Sequence, residues 1–450
     1  MAKIQRSTGT SIILEKSIRP SYFSKGLLAL VVVAISLIAT FFYTKSQQPQ
    51  YIINNPLADV QAQSGSSVAD APAEVLGAND ENTSTTTKEK TNDITVNASD
   101  EGVKDESKEK TTEPVTPKVT SAAGQVFYGR GTPNNKFGMY VHNITDDVKA
   151  AAKLVNTNGG DWGWVLLTMD INDRNKDNWK GLLGAAKSAH LIPIIQIANN
   201  NVCKADKMDF EAIAKMLNGV NWPSKYLYIS VFNEMNAKDY WCDRIAPGEY
   251  AEALNKAIKE FKAVNKNFFV MPGAFNSSAR TQDRYLSEDS YLVQMNNTVP
   301  GIFKKIDGWA THSYPQPNFS GDPENLPAGY SARDTINNYT WEMTILKNNF
   351  GIGGLPIFIT ETGWLHREGQ NGCFQYSQAG LLSADTTAQR FKAAFTNYWL
   401  SDPRIVAVTP FIFRSKDPCA MGFAWQKSDG SWYPQATMLI DIPKTAGSGN

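Results

Sequence analysis

Apolar residues gather first in one unbroken run and then, after a long polar interval, in short bursts. The run "GLLALVVVAISLIATFFY" (26–43) contains no charged side chain. At about 1.5 Å per residue a helix there would cover roughly 27 Å, close to the hydrocarbon thickness of a bilayer. No amphipathic stripe marks it as a core helix. The interval that follows, 44–124, is rich in Ser, Thr, Asn, Glu, Lys and Pro, as in "ENTSTTTKEKTND". Such a stretch buries too little apolar surface to offset its ordering entropy, so a disordered linker is expected.

From about residue 137 the bursts turn regular. Eight strand candidates are "FGMYVHN", "GWVLLTM", "IPIIQIA", "YLYISVFNE", "FFVMPGA", "IDGWATHSY", "LPIFITET" and "IVAVTPFIF". Segments of helical period separate them. In "PGEYAEALNKAIKEFKAVN", Tyr250, Leu254, Ala257, Ile258, Phe261 and Val264 share one face, and Pro247 sits where a first-turn proline is tolerated. "DDVKAAAKLVNTNGG" opens with acids and closes on Asn and Gly, which suits both helix ends. Strands alternating with helices predict an α/β fold, a (β/α)8 TIM barrel over 125–450. An open doubly wound sheet is the competing architecture, but "YVHNITDD" after the first strand is no glycine-rich phosphate loop.

Charge and composition then narrow the function. The 450 residues carry 44 basic and 44 acidic side chains, which leaves no basic footprint for a nucleic-acid partner. Before the apolar run, Lys3, Arg6, Lys16, Arg19 and Lys25 face only Glu15. The positive-inside rule therefore makes 1–25 a cytoplasmic tail and 26–43 a transmembrane anchor, with all that follows extracytoplasmic. A cleaved signal peptide is the alternative, and "TKSQQPQ" offers no small-x-small cleavage site.

Two strand candidates end abnormally. "YLYISVFNE" closes on Asn233 and Glu234, and "LPIFITET" closes on Glu361. Burying a carboxylate costs several kcal/mol unless a partner or a task compensates. In a TIM barrel the strand C-termini form the active-site mouth. Two carboxyl groups facing across a pocket are the basic equipment for glycoside hydrolysis.

"NE" after strand four and "TETGW" after strand seven resemble the retaining (β/α)8 glycoside hydrolases of clan A, and the similarity runs over the whole of 125–450. The resemblance implies Glu234 as general acid/base, Glu361 as nucleophile and Asn233 as the holder of the sugar 2-hydroxyl. "THSYP" is similar to members in which a His and a Tyr flank the nucleophile, here His312 and Tyr314. The ending "FAWQKSDGSWYPQATMLI" looks like the clan's usual close. One departure is visible: many members carry Trp at the end of strand eight, where this chain reads "TPFIFRSKD". Phe411, Phe413 and Trp425 are the possible replacements. Trp364 is expected to form part of a sugar floor. His142, Asp170 and Asn199, with Asn200 and Asn201 beside it, are candidate hydroxyl contacts. The bland reading of Glu234 and Glu361 makes them buried partners of Arg280, Arg284 or Arg414.

The four cysteines all fall after residue 200. An even count in an extracytoplasmic domain suggests disulfides, with free buried thiols as the alternative. Cys203 and Cys242 follow adjacent strands, as do Cys373 and Cys419, and neighbouring loops can reach the Cα separation a disulfide needs. The expected bonds are Cys203–Cys242 and Cys373–Cys419. His142, His190, His312 and His366 are scattered, unlike the close His pairs of many metal-dependent hydrolases, so neither a metal nor a cofactor is expected. His190 is expected to cap a helix end. The function expected is therefore a membrane-anchored glycosidase cleaving an external poly- or oligosaccharide. Its rival is a non-catalytic sugar-binding barrel displayed for adhesion.

Overall fold

Among the described residues, eight parallel strands alternate with eight α-helices. The computed structural model describes residues 134–369 and 381–449, all within one compact unit, Asn55–Asn450. The strands are β1 Gly138–Tyr140, β2 Gly163–Asp170, β3 Leu191–Ala198, β4 Leu227–Val231, β5 Phe268–Pro272, β6 Trp309–His312, β7 Ile357–Glu361 and β8 Ile405–Val408. The helices are α1 Thr145–Val155, α2 Lys176–Ser188, α3 Phe210–Asn218, α4 Pro247–Val264, α5 Glu288–Thr298, α6 Tyr339–Phe350, α7 Ala384–Ala393 and α8 Pro434–Asp441. The tail of α7 continues as a π-helical turn, Ala394–Trp399.

Continuous ladders join β1 through β5 and β6 through β8. Two seams remain, and each is bridged differently. At β8/β1, Phe137 pairs in parallel with Val408, and the Val408 amide donates to the Lys136 carbonyl at 2.8 Å. At β5/β6 a side chain takes part in the ladder. The fully buried Asp307 carboxylate accepts from the Val270 amide at 2.8 Å, while the Asp307 amide donates to the Val270 carbonyl at 3.0 Å. Lys262 from α4 balances that carboxylate at 2.6 Å. The result is an α/β fold of parallel strands resembling a TIM barrel.

Side-chain alternation sorts the core into two layers. Trp164, Leu166, Ile192, Ile194, Tyr228, Phe269, Met271, Ala310 and Phe358 fill the space between the strands. Their neighbours of opposite parity, such as Val165, Leu167, Ile195 and Ile229, pack against the helices. The amphipathic segment read from the sequence is α4, with Pro247 in its first turn and Tyr250, Leu254, Ala257, Ile258 and Phe261 buried. His190 lies just beyond α2 but does not cap it. Its ring bonds Asp161 at 2.9 Å and stacks on Trp162, because a left-handed backbone at φ 52° turns the side chain away from the helix end.

No helix among the described residues is long and apolar enough to cross a membrane. The proposed tail, anchor and linker at 1–124 lie outside the described residues.

Candidate active site

Backbone irregularities bring the site together where the regular strands stop. After β4, Phe232 and Glu234 both adopt left-handed backbone, φ 75° and 47°. Each costs of order 1–3 kcal/mol for a non-glycine residue. The first turn sends the Phe232 ring outward among Phe210, Trp241 and Tyr250. The Glu234 amide is then caught by the Ala274 carbonyl at 2.8 Å. Gly273 supports this turn from behind. A Cβ there would lie 2.3 Å from the Phe232 carbonyl oxygen, so no other residue fits without moving the backbone that carries Glu234.

Strand β7 uses a different device. Ile359 pairs with Thr311, but the next pair joins Glu361 to His312, skipping Thr360. This irregularity interrupts the alternation that would otherwise send Glu361 to the helix side. Bulges commonly re-aim a side chain next to an active site.

Both carboxylates converge on one imidazole. His312 Nδ1 lies 2.9 Å from Glu234 Oε1 and 3.8 Å from Glu361 Oε2. The two oxygens are therefore no further apart than those lengths combined. Glu361 also accepts from the Tyr314 hydroxyl at 3.0 Å. His312 and Glu234 are buried. Burial alone would lower the His312 pKa, but the Glu361 charge and the hydrogen bond to Glu234 outweigh it and raise the group above its ordinary value. Burial lifts the Glu361 carboxyl, the Glu234 charge adds to the lift, and His312 and Tyr314 oppose it. Two polar atoms here are buried without a partner among the described residues, Asn233 Oδ1 and His312 Nε2. A ligand rich in hydroxyl groups would satisfy both.

The arginine alternative does not hold. Arg280 pairs with Asp334 at 2.6 Å, Arg284 with Asp239 at 2.5 Å, and Arg414 with Asp147. None is the partner of Glu234 or Glu361.

Several other expected site residues stand elsewhere. Trp364 is only 1% exposed, donates its indole N–H to the Gly321 carbonyl at 2.8 Å and packs against Phe391 and Trp399. Both ring faces belong to the core, so it offers no sugar floor. Asn199 spends its amide on the Tyr240 carbonyl at 2.8 Å, tying together the loops after β3 and β4. Asp170 accepts from the Asn172 amide in a tight turn, at 2.7 Å. His142 is exposed near the Arg414–Asp147 pair. Of the candidate replacements at the end of β8, Phe411 takes part in the aromatic surround. It meets Tyr140 edge-on at 5.2 Å and Phe423 at 5.8 Å, while Phe319 and Phe423 pack against Tyr314. Trp425 is fully buried.

One phenol escaped the sequence reading. Tyr240, on the short 3-10 turn Lys238–Tyr240, is raised well above the ordinary phenol range by burial and then by the charges of Glu234 and Glu361. No local pattern in "NAKDYW" signals this, because the causes are burial and charges at the ends of two strands, one of them more than a hundred positions away.

Cys203 and Cys242 form the expected disulfide, with Cα atoms 6.2 Å apart. Cys419 is disulfide-bonded as well, and its expected partner Cys373 lies outside the described residues. Among the described residues no group of three or more His, Cys, Asp or Glu is placed to hold a metal ion.

No family model matches the sequence, and no curated protein does. The solved structures similar to this chain include glycoside hydrolases with a parallel α/β fold, all at low sequence identity. An endo-beta-1,3-glucanase of family GH128 from Pseudomonas viridiflava is 13% identical, covering 69% of this chain and 99% of its own, with a TM-score of 0.45. A fungal beta-1,4-galactanase is 15% identical over 66% of this chain and 90% of its own, with a TM-score of 0.45. An endo-beta-1,4-mannanase from Cellulomonas fimi is 14% identical over 71% and 73%, also with a TM-score of 0.45.

Proposed function

We propose that this chain is a retaining glycosidase that cleaves O-glycosidic bonds, β-linked ones in particular, in an external poly- or oligosaccharide. The observation that carries this reading is the meeting of two carboxylates on one histidine nitrogen. Their separation is bounded well under the roughly ten ångströms at which the pair could no longer serve one glycosidic bond, and the bound admits the roughly 5–5.5 Å typical of retaining enzymes.

In the first step a Glu361 oxygen attacks the anomeric carbon. The bond to the leaving oxygen breaks as that oxygen takes a proton from Glu234. In the second step Glu234 removes a proton from water, the water oxygen bonds to the anomeric carbon, and Glu361 departs as a carboxylate. Tyr314 is suited to steady Glu361 as an anion, since its hydroxyl donates to the attacking carboxylate. In this reading the buried, unpartnered Asn233 Oδ1 accepts from the sugar 2-hydroxyl. The anchor at 26–43 and an outward-facing catalytic unit remain part of the proposal on sequence grounds.

The test is hydrolysis of aryl β-glycosides and a broad oligosaccharide panel. Wild type should turn over at least one class, and Glu361→Gln should abolish turnover. Glu234→Ala should regain activity with azide on substrates whose leaving group needs no proton. A wild-type protein that binds glycans yet cleaves none establishes the adhesion reading instead.

A further inference from the structure

Behind β6, on the helix side of the strand, a second pair of acids is buried: Glu288 at the start of α5 and Glu342 on α6, both 0% exposed. The mechanism above uses neither. Glu342 is well supplied with donors, accepting from Trp309 Nε1 at 3.0 Å, Thr311 Oγ1 at 2.9 Å and Asn338 Nδ2 at 3.3 Å. Glu288 receives no such donors among the described residues, and its carboxyl shares a hydrogen bond with Glu342. Burial first, then the Glu342 charge, push Glu288 well above the ordinary carboxylate range, with Arg333 opposing. Burial also lifts Glu342, against the pull of Thr311, Trp309 and His312. Of the two, the acid with three donors is the one suited to carry charge, so the pair's proton belongs on Glu288.

This pair is wired to the active site by one side chain. The Asn338 amide that reaches Glu342 also donates to the His312 carbonyl at 3.0 Å and to Thr311 Oγ1 at 2.8 Å. Its oxygen accepts from Ser313 Oγ at 2.6 Å. Trp309, Thr311, His312 and Ser313 are thus held by a single polar cluster. The groups bearing on the His312 ring are Glu234 from the end of β4, Glu361 from β7 and Tyr314 beyond its own strand, with Glu342 of α6 acting from behind the strand.

We propose that Glu342 is a positioning residue whose buried charge, acting across β6, helps to hold one proton on the Glu234–His312 pair. The inference deepens the glycosidase reading and rests on it for its catalytic meaning. A Glu234 ready to protonate a leaving oxygen needs one proton beyond carboxylate and neutral imidazole, whether that proton sits on Glu234 or makes the His312 ring an imidazolium. Loss of that proton would form the alkaline limb of activity. A negative charge close behind His312, in a site where burial opposes imidazolium, moves that limb upward. Removing it must move the limb down.

The experiment is an NMR titration of the His312 ring, assigned by its disappearance in His312→Asn, in the full chain and two variants. Glu342→Gln should lower the His312 midpoint by about half a unit to one unit and shift the alkaline limb of kcat/KM by the same amount. Glu288→Gln places an amide donor beside Glu342 and should leave the midpoint unchanged or raise it. It keeps the idea testable if the first variant does not fold. An unmoved midpoint in folded Glu342→Gln, or equal falls in both variants, overturns the proposal. A midpoint that moves as expected in a protein inert on every glycan keeps the electrostatic coupling and discards the glycosidase reading.

Discussion

At the scale of single residues, the site depends on which hydrogen bond each acid receives. Glu361 is lifted by burial and by Glu234, and the Tyr314 hydroxyl is one of two groups opposing that lift. Removing the hydroxyl therefore raises the Glu361 pKa further. Because Glu361 attacks as an anion, the acid limb of kcat/KM in Tyr314→Phe should move to higher pH. Activity at the optimum should fall on the order of tenfold, the cost of one hydrogen bond to a charged group. A pH–rate profile checks both, and an unmoved acid limb would detach Tyr314 from the nucleophile. The residue types of this site were legible early: "NE", "TET" and "THSY" are polar interruptions of apolar strands. Trp364 was misread because a Trp beside a catalytic acid looks the same in a sequence whether its ring faces a sugar or Phe391 and Trp399.

At the scale of elements, two features were invisible to periodicity. One is the skipped pairing at Thr360, which re-aims Glu361. The other is the β5/β6 seam, where Asp307 stands in for part of the strand ladder and draws Lys262 toward the barrel. "KKIDGW" reads as the start of a strand, and nothing in it foretells that the acid serves the neighbouring strand. Asp307→Asn keeps the shape but removes the charge that lies 2.6 Å from the Lys262 ammonium. Breaking a buried pair by neutralising one member costs about 3 kcal/mol. Thermal unfolding should therefore shift down by roughly 4–6 °C for a domain of this size. A shift under about 2 °C would mean that the seam does not depend on the ion pair. Eight strands and the longest of the intervening helices, by contrast, were readable from short apolar runs set between segments of helical period, since strands buried on both faces and helices buried on one leave different patterns.

At the scale of the whole molecule, the charge-free run at 26–43 makes a prediction independent of catalysis. The full chain should partition into a detergent phase, and a chain beginning at residue 125 should stay in the aqueous phase. Phase separation followed by immunoblotting measures this, and aqueous partitioning of the intact full chain removes the anchor from the proposal. The Cys203–Cys242 bond has a part at this scale too. It closes the loops after β3 and β4 on one another, beside the Asn199–Tyr240 contact, and so borders the loop that carries Tyr240 toward the site.

Local chemistry in the chain sufficed to settle the order of the strands, the buried face of α4, and the presence of two acids where apolar residues belonged. These follow from burial and hydrogen bonding, which act through neighbours two to four positions away. The aim of those acids was decided elsewhere, by left-handed turns braced on Gly273, a skipped pair at Thr360, and a histidine from a third strand that both carboxylates reach. Contacts between residues tens of positions apart settle such matters, because a side chain's direction at a strand end depends on what the next strand leaves room for.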